Sequence, residues 1–181
     1  WEMCRAERSG KQWDVCFIGY PYPSRVAFIR QLRQLLPQSV GMVLVGDTWD
    51  QKGIGNVTLY PTLGEVDTAR IGQRGRIVVC KHRTEADIGG FPVIAPTSVN
   101  RGYIECAYRA LVMIDADRPE SSFTDEVVRF ETVEGAAERV QHYLAHPSEL
   151  ETMSGRAFAR APEFTHQARM HKLLNAMRST R

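Results

Sequence analysis

The chain has 181 residues, 43% of them hydrophobic and 24% charged, with a formal net charge of +2. That length and balance suit one ordinary domain able to bury a core. No apolar run approaches the roughly 20 residues that a bilayer-spanning helix needs, and no signal-peptide pattern opens the chain, so a cytoplasmic protein is expected.

The small positive charge makes no case for nucleic acid. The basic residues of the last third (Arg156, Arg160, Arg169, Lys172, Arg178, Arg181) read as a solvated helical face. Cys4, Cys16, Cys80 and Cys106 are far apart, and three of them lie in apolar segments. Buried free thiols are expected there, with neither zinc nor a disulfide framework implied.

The chain begins at Trp1, and its opening reads as the end of something else: residues 1–12 are expected to be a tail or linker, and residues 13–181 the domain. The run Asp14 to Gly19 predicts a buried strand, the Pro-rich stretch Tyr20 to Pro23 a turn, and Ser24 an N-cap. From Arg25 to Leu36, Val26, Phe28, Ile29, Leu32, Leu35 and Leu36 recur at helical spacing until Pro37 stops the pattern. Met42 to Val45 is a second strand closed by Gly46, Val57 to Tyr60 a third, residues 64–73 a weak helix, and Arg76 to Cys80 a β-branched fourth strand.

Lys81 to Pro96, rich in Gly and Pro, reads as a long loop of the kind usually tied to function or motion. A helix is expected from about Ser98 to Arg109 and strands at Leu111 to Ile114 and Val127 to Phe130. Helices then follow at Val133 to His146, Ser148 to Arg160 and Thr165 to Arg178, with Ser148 and Thr165 able to cap. Apolar strands alternating with helices predict a Rossmann-like α/β fold: an open, mostly parallel sheet covered by helices on both faces and followed by C-terminal helices. Ligands of such sheets bind outside the carboxyl ends of the strands, at the switch in strand order.

Four stretches therefore compete for the site: Gly19 to Ser24, Gly46 to Trp49, Lys81 to Pro96 and the helix start near Ser98. The first turn brings Gly19, Tyr20 and Arg25 to the mouth of the sheet, and helix-start amides beside an arginine favour phosphate. It lacks the Gly-x-Gly-x-x-Gly fingerprint, which disfavours ordinary dinucleotide binding. A rigid turn with a solvated Arg25 is the competing reading. Arg101 and Glu105 are one helical turn apart: they could form a surface ion pair, or could separately meet a diphosphate and the vicinal hydroxyls of a ribose. His142 and His146 have metal-binding spacing, but no third ligand is evident nearby, and no metal site is expected. His82 sits in a basic cluster that reads as a solvated loop or a polar contact at the cleft. His166 and His171 read as decoration of the last helix.

The succession Asp-Val-Cys-Phe-Ile-Gly, Val-Leu-Val-Gly-Asp-Thr-Trp, Gly-Arg-Ile-Val-Val-Cys and Arg-Gly-Tyr-Ile-Glu-Cys-Ala-Tyr-Arg-Ala-Leu-Val-Met-Ile-Asp resembles the C-terminal, donor-binding half of GT-B glycosyltransferases. It is most similar to the CgeB-like spore-maturation group, over about residues 13–178. The resemblance implies transfer of a sugar from a nucleotide diphosphate sugar to an acceptor, with Glu105 holding the donor ribose and no metal or other cofactor required. Arg101, Arg25, Tyr20, Tyr103, Gly19 and Gly46 join Glu105 as the implied nucleotide-binding set, and no catalytic residue is assigned. Arg101 is one residue further from Glu105 than the family spacing, Ala110 replaces a glycine, and Thr97 stands where many retaining relatives carry a second acid. The resemblance also implies an N-terminal acceptor-binding half, upstream or on another chain. A non-catalytic interaction or regulatory domain stays open as an alternative, as does, at lower rank, a glycosyltransferase acting on modified DNA.

Overall fold

The computed structural model describes residues 10–82, 89, 104–115 and 125–179. Six strands, β1 (Trp13–Ile18), β2 (Met42–Val45), β3 (Thr58–Tyr60), β4 (Gly75–Cys80), β5 (Leu111–Asp115) and β6 (Val128–Phe130), form one sheet. Its order is β3-β2-β1-β4-β5-β6 and every neighbouring pair is parallel. This is the doubly wound Rossmann order, whose direction reverses between β1 and β4. The registers Ile18 to Val45, Val45 to Tyr60, Cys80 to Ile114 and Asp115 to Phe130 bring the strand ends to a common carboxyl edge.

The helices are α1 (Pro23–Leu35), α2 (Glu65–Arg74), α3 (Val133–Ala145), α4 (Pro147–Arg160) and α5 (His166–Ser179). Strand alternation sorts the core between them. Val15, Phe17, Met42, Leu44, Ile77, Val79, Leu111 and Met113 face Phe28, Ile29 and Leu32 of α1 and Ala136, Ala137 and Val140 of α3. The intervening residues point the other way: Cys16, Ile18, Val43, Val45 and Val78 onto Ile71 and Tyr108, and Cys80, Val112 and Ile114 onto Cys106 and Ala157. The α1 and α3 layer is tied to the sheet edge by a stack of Phe28 on Phe130, with centroids 5.4 Å apart. Such a pair adds about 1 kcal/mol beyond its burial.

Several expected boundaries shift for identifiable reasons. Ser24 does not cap α1: Tyr22 is the N-cap, without a side-chain bond, and Pro23 takes the first helical position, where its fixed φ and missing N–H suit the helix. Ser148 likewise lies inside α4, which starts at Pro147 after His146. Thr165 does cap, its hydroxyl accepting from the Ala168 amide at 3.2 Å, and Thr132 caps α3 by accepting from Gly135 at 3.1 Å. Leu35, expected on the buried stripe of α1, is 44% exposed, while the next residue, Leu36, is buried.

Two cations finish the amino end of the sheet. Arg33 is buried and donates to the carbonyls of Val40 at 2.7 Å, Leu36 at 3.0 Å and Pro37. It thus satisfies carbonyls left over where α1 ends. Lys11 donates to Gln73 at 2.9 Å, Gly75 at 2.8 Å and Arg109 at 2.9 Å, clasping the end of α2 to the turn before β5. Arg109 holds a left-handed φ of 53° there, which aims the chain into β5.

Candidate active site

At the carboxyl edge the loops after β1 and β2 touch. Gly46 has φ +146°, and a Cβ on it would lie 2.4 Å from the Gly19 carbonyl oxygen, so only glycine fits. The same oxygen accepts from the Trp49 indole at 2.7 Å, and Trp49 is buried with its ring edge-on to Phe17. The amides of Gly19 and Gly46 donate to Val45 at 2.8 Å and Tyr60 at 2.9 Å. This corrects the expectation that these amides greet a phosphate: both are spent inside the sheet, and the two glycines give the rim its shape instead.

Arg25, half-buried in the first turn of α1, spans the switch point between β1 and β4. Its Nε donates to the Lys81 carbonyl at 2.9 Å and one terminal nitrogen to the Tyr20 carbonyl at 3.4 Å. The guanidinium lies 5.2 Å from the Tyr22 ring centroid and 5.9 Å from that of Phe17. Tyr20 itself is 51% exposed.

Beyond the switch point the edge carries buried polar groups. Asp115 closes the apolar strand β5 and is buried. It accepts from Lys81 Nζ at 2.7 Å, from the His82 amide at 3.2 Å, and from His82 Nδ1. Burial alone would raise the Asp115 carboxyl, but the bonds from His82 and Lys81 outweigh it and hold the group below the ordinary range, so it is a carboxylate at neutral pH. A carboxylate can only accept, so Nδ1 of His82 carries the proton. In the neutral ring this leaves the lone pair on Nε2, which is buried and has no hydrogen-bond partner among the described residues. The solvated-loop reading of His82 is thereby corrected: the ring is an oriented, buried imidazole.

Residues 104–106 are helical and 107–109 turn into β5. Glu105 is fully buried here, and the Cys80 thiol at the end of β4 donates to its Oε2. Cys106, beside it, is pushed up to about 12 by burial, then by the charges of Glu105 and Glu126, and stays a thiol. Tyr108 fixes the segment from behind, since a Cβ on Gly72 of α2 would lie 2.3 Å from its ring.

The structure therefore brings Glu105, Arg25, Gly19, Tyr20 and Gly46 to one edge of the sheet and adds Lys81, His82 and Asp115 to them. Arg101, Tyr103 and Thr97 lie outside the described residues. The sequence reading missed Asp115, whose signal was a single carboxylate ending an otherwise apolar strand. A surface hollow on α3, lined by Gly135, Glu138, Arg139, His142 and Tyr143, contains none of these groups.

An all-parallel Rossmann-like sheet with charged groups gathered at its carboxyl edge, followed by helices, is the architecture of a doubly wound domain that binds its ligand at the switch point. The model of the family described as "Glycosyl transferase-like" matches residues 25–175, and the chain belongs to that family. No curated protein matches it in sequence.

Among solved structures, Anabaena Alr3699/HepE in complex with UDP-glucose is similar at a TM-score of 0.66 and 13% identity, covering 94% of this chain and 50% of that one. TarM is similar at 0.66 and 11%, covering 94% and 36%. Sucrose-phosphate synthase from Thermosynechococcus elongatus is similar at 0.65 and 14%, covering 99% and 49%. At these identities the likeness speaks for the fold, and the chain spans half or less of these structures' own length.

Proposed function

We propose that this domain binds a nucleotide diphosphate sugar at the carboxyl edge of its sheet and serves as the donor-side half of a glycosyltransferase of the CgeB-like group. The observation that carries the reading is Glu105, a carboxylate delivered by a helical turn to the carboxyl end of β4 in a Rossmann-like sheet. Its two oxygens suit the vicinal hydroxyls of a ribose, which would take the place of the Cys80 thiol. Arg25 and Lys81 bring positive charge to the switch point, where the diphosphate would lie, with Arg101 as a further candidate. The structural neighbour solved with UDP-glucose supports this choice of ligand class.

In the transfer itself the bond from the sugar's anomeric carbon to the diphosphate oxygen breaks, a bond to the acceptor's nucleophilic atom forms, and the proton that atom loses passes to a base of the acceptor-side half. This half contributes positioning and charge stabilisation of the departing diphosphate. Helix N-termini and basic side chains can carry that charge without a metal, so turnover that withstands EDTA is expected. The donor domain comprises residues 13–181, with Lys11 packed against it, in a cytoplasmic protein. No helix among the described residues is long and apolar enough to cross a membrane.

An acceptor-binding half, upstream or on another chain, completes the site. The apolar stripe Met170, Leu173, Leu174 and Met177, exposed along α5, gives such a half a surface to meet. Calorimetry on the intact protein with UDP, GDP and their sugars tests the reading, and silence toward all of them sinks it. Glu105→Ala is expected to weaken the bound nucleotide roughly tenfold to a hundredfold, the worth of one hydrogen bond to a charged group. Full activity in that variant would favour a non-catalytic scaffold.

A further inference from the structure

We propose that His142, His146 and Glu149 form a surface site for a borderline divalent cation such as zinc or nickel, bridging α3 and α4. The sequence offers two histidines four apart, and the fold supplies the third ligand that sequence reading did not find. Helical spacing puts His142 and His146 on one face, with rings stacked 4.3 Å apart at 26°. The chain turns at His146, which ends α3 and caps α4, and Pro147 then starts α4. That reversal places Glu149, in the first turn of α4, opposite His142, with Oε2 at 3.0 Å from Nε2. One ligand atom from each of the three lies within 4.8 Å of the others.

The chemistry of each donor is set by its partners. Nδ1 of His146 lies 2.7 Å from the His142 carbonyl oxygen. A carbonyl offers only lone pairs, so Nδ1 carries the proton and Nε2 presents its lone pair outward, the arrangement in which metal-bound histidines are commonly held. His142 Nε2 and the Glu149 carboxylate face each other at 3.0 Å, and a cation entering between them displaces the proton they share. Two imidazoles and one carboxylate form a borderline donor set that suits zinc or nickel over magnesium or calcium. His142 and Glu149 are about half exposed, at 48% and 55%, so their side chains can rotate to close on an ion at the roughly 2.0–2.2 Å that zinc requires. Solvent completes the shell. The ion would cross-link the helices on either side of Pro147.

Calorimetry of the chelator-stripped protein with zinc chloride and nickel chloride, with magnesium chloride as the hard-ion control, decides the matter. One zinc or nickel per chain is expected, with no response to magnesium. The double variant His142→Ala, His146→Ala should lose affinity roughly a hundredfold or more, and Glu149→Gln should weaken it less, by about tenfold. Zinc should also raise the Tm of the native chain and not that of the double variant. Circular dichroism should show both variants as helical as the native chain. Absence of zinc binding overturns the proposal. Undiminished binding in the double variant does so equally, because the ion would then be held elsewhere, for instance by thiols.

Discussion

The two ends of the sheet use charge in opposite ways. At the amino end, Lys11 and Arg33 each spend a cation on three backbone carbonyls, where α2 and α1 stop. At the carboxyl edge, polar side chains meet one another: Asp115 takes Lys81 and His82, and Glu105 takes the Cys80 thiol. The first arrangement completes the hydrogen bonding of helix ends and has no need of a ligand. The second takes carboxylates out of water beside the topological switch point, which is costly for folding and typical of sites that do chemistry.

That contrast can be broken at three points. The largest effect is expected from Asp115→Asn, which leaves Lys81 without its counter-charge and His82 Nδ1 without its carboxylate acceptor. A loss of about 3 kcal/mol at neutral pH is the expectation for removing one partner of a buried pair, measured by urea denaturation. The carboxyl is held below its unfolded value of about 3.9, so its contribution is complete above that pH and disappears as pH falls through the still lower folded value. The stabilities of the native chain and of the Asp115→Asn variant should therefore converge below about pH 4, and a constant gap down to about pH 2 would count against the ion cluster.

Next is Arg33→Met, which orphans buried carbonyls at the end of α1. It should destabilise the fold by about 1–3 kcal/mol while leaving nucleotide affinity of the folded protein unchanged. A change in affinity would mean that the amino end is not purely structural. Smallest is Lys11→Met. Its ammonium is only partly buried and solvent can take over its carbonyls, so a Tm lower by only a few degrees is expected.

The strands were legible in the chain because parallel strands buried on both faces read as unbroken apolar runs, as in Val15 to Ile18 and Leu111 to Ile114. Helix starts were less so, since Ser24 and Ser148 carry the chemistry of a cap while the prolines just before them decide where each helix begins. Of the site, Glu105 and Arg25 were visible as charges next to strand ends. The partners of Asp115 were not: Lys81 and His82 are more than thirty positions away, and only the pairing of β4 with β5 makes them neighbours. Glu149 escaped for the same reason, being brought back to His142 by a reversal that sequence spacing does not display.

The fit of Tyr108 into the notch at Gly72 has a mechanical consequence. With no side chain at that position on α2, the aromatic ring sits where a Cβ would stand, and the turn that carries Glu105 is keyed to α2 like a pawl in a ratchet wheel. Movement of this turn toward α2 would drive the Tyr108 ring into the backbone at Gly72. The exchange of the Cys80 thiol for a ligand proposed for Glu105 would then run through rotation of its side chain, a fast local motion, with the backbone of the turn held in place.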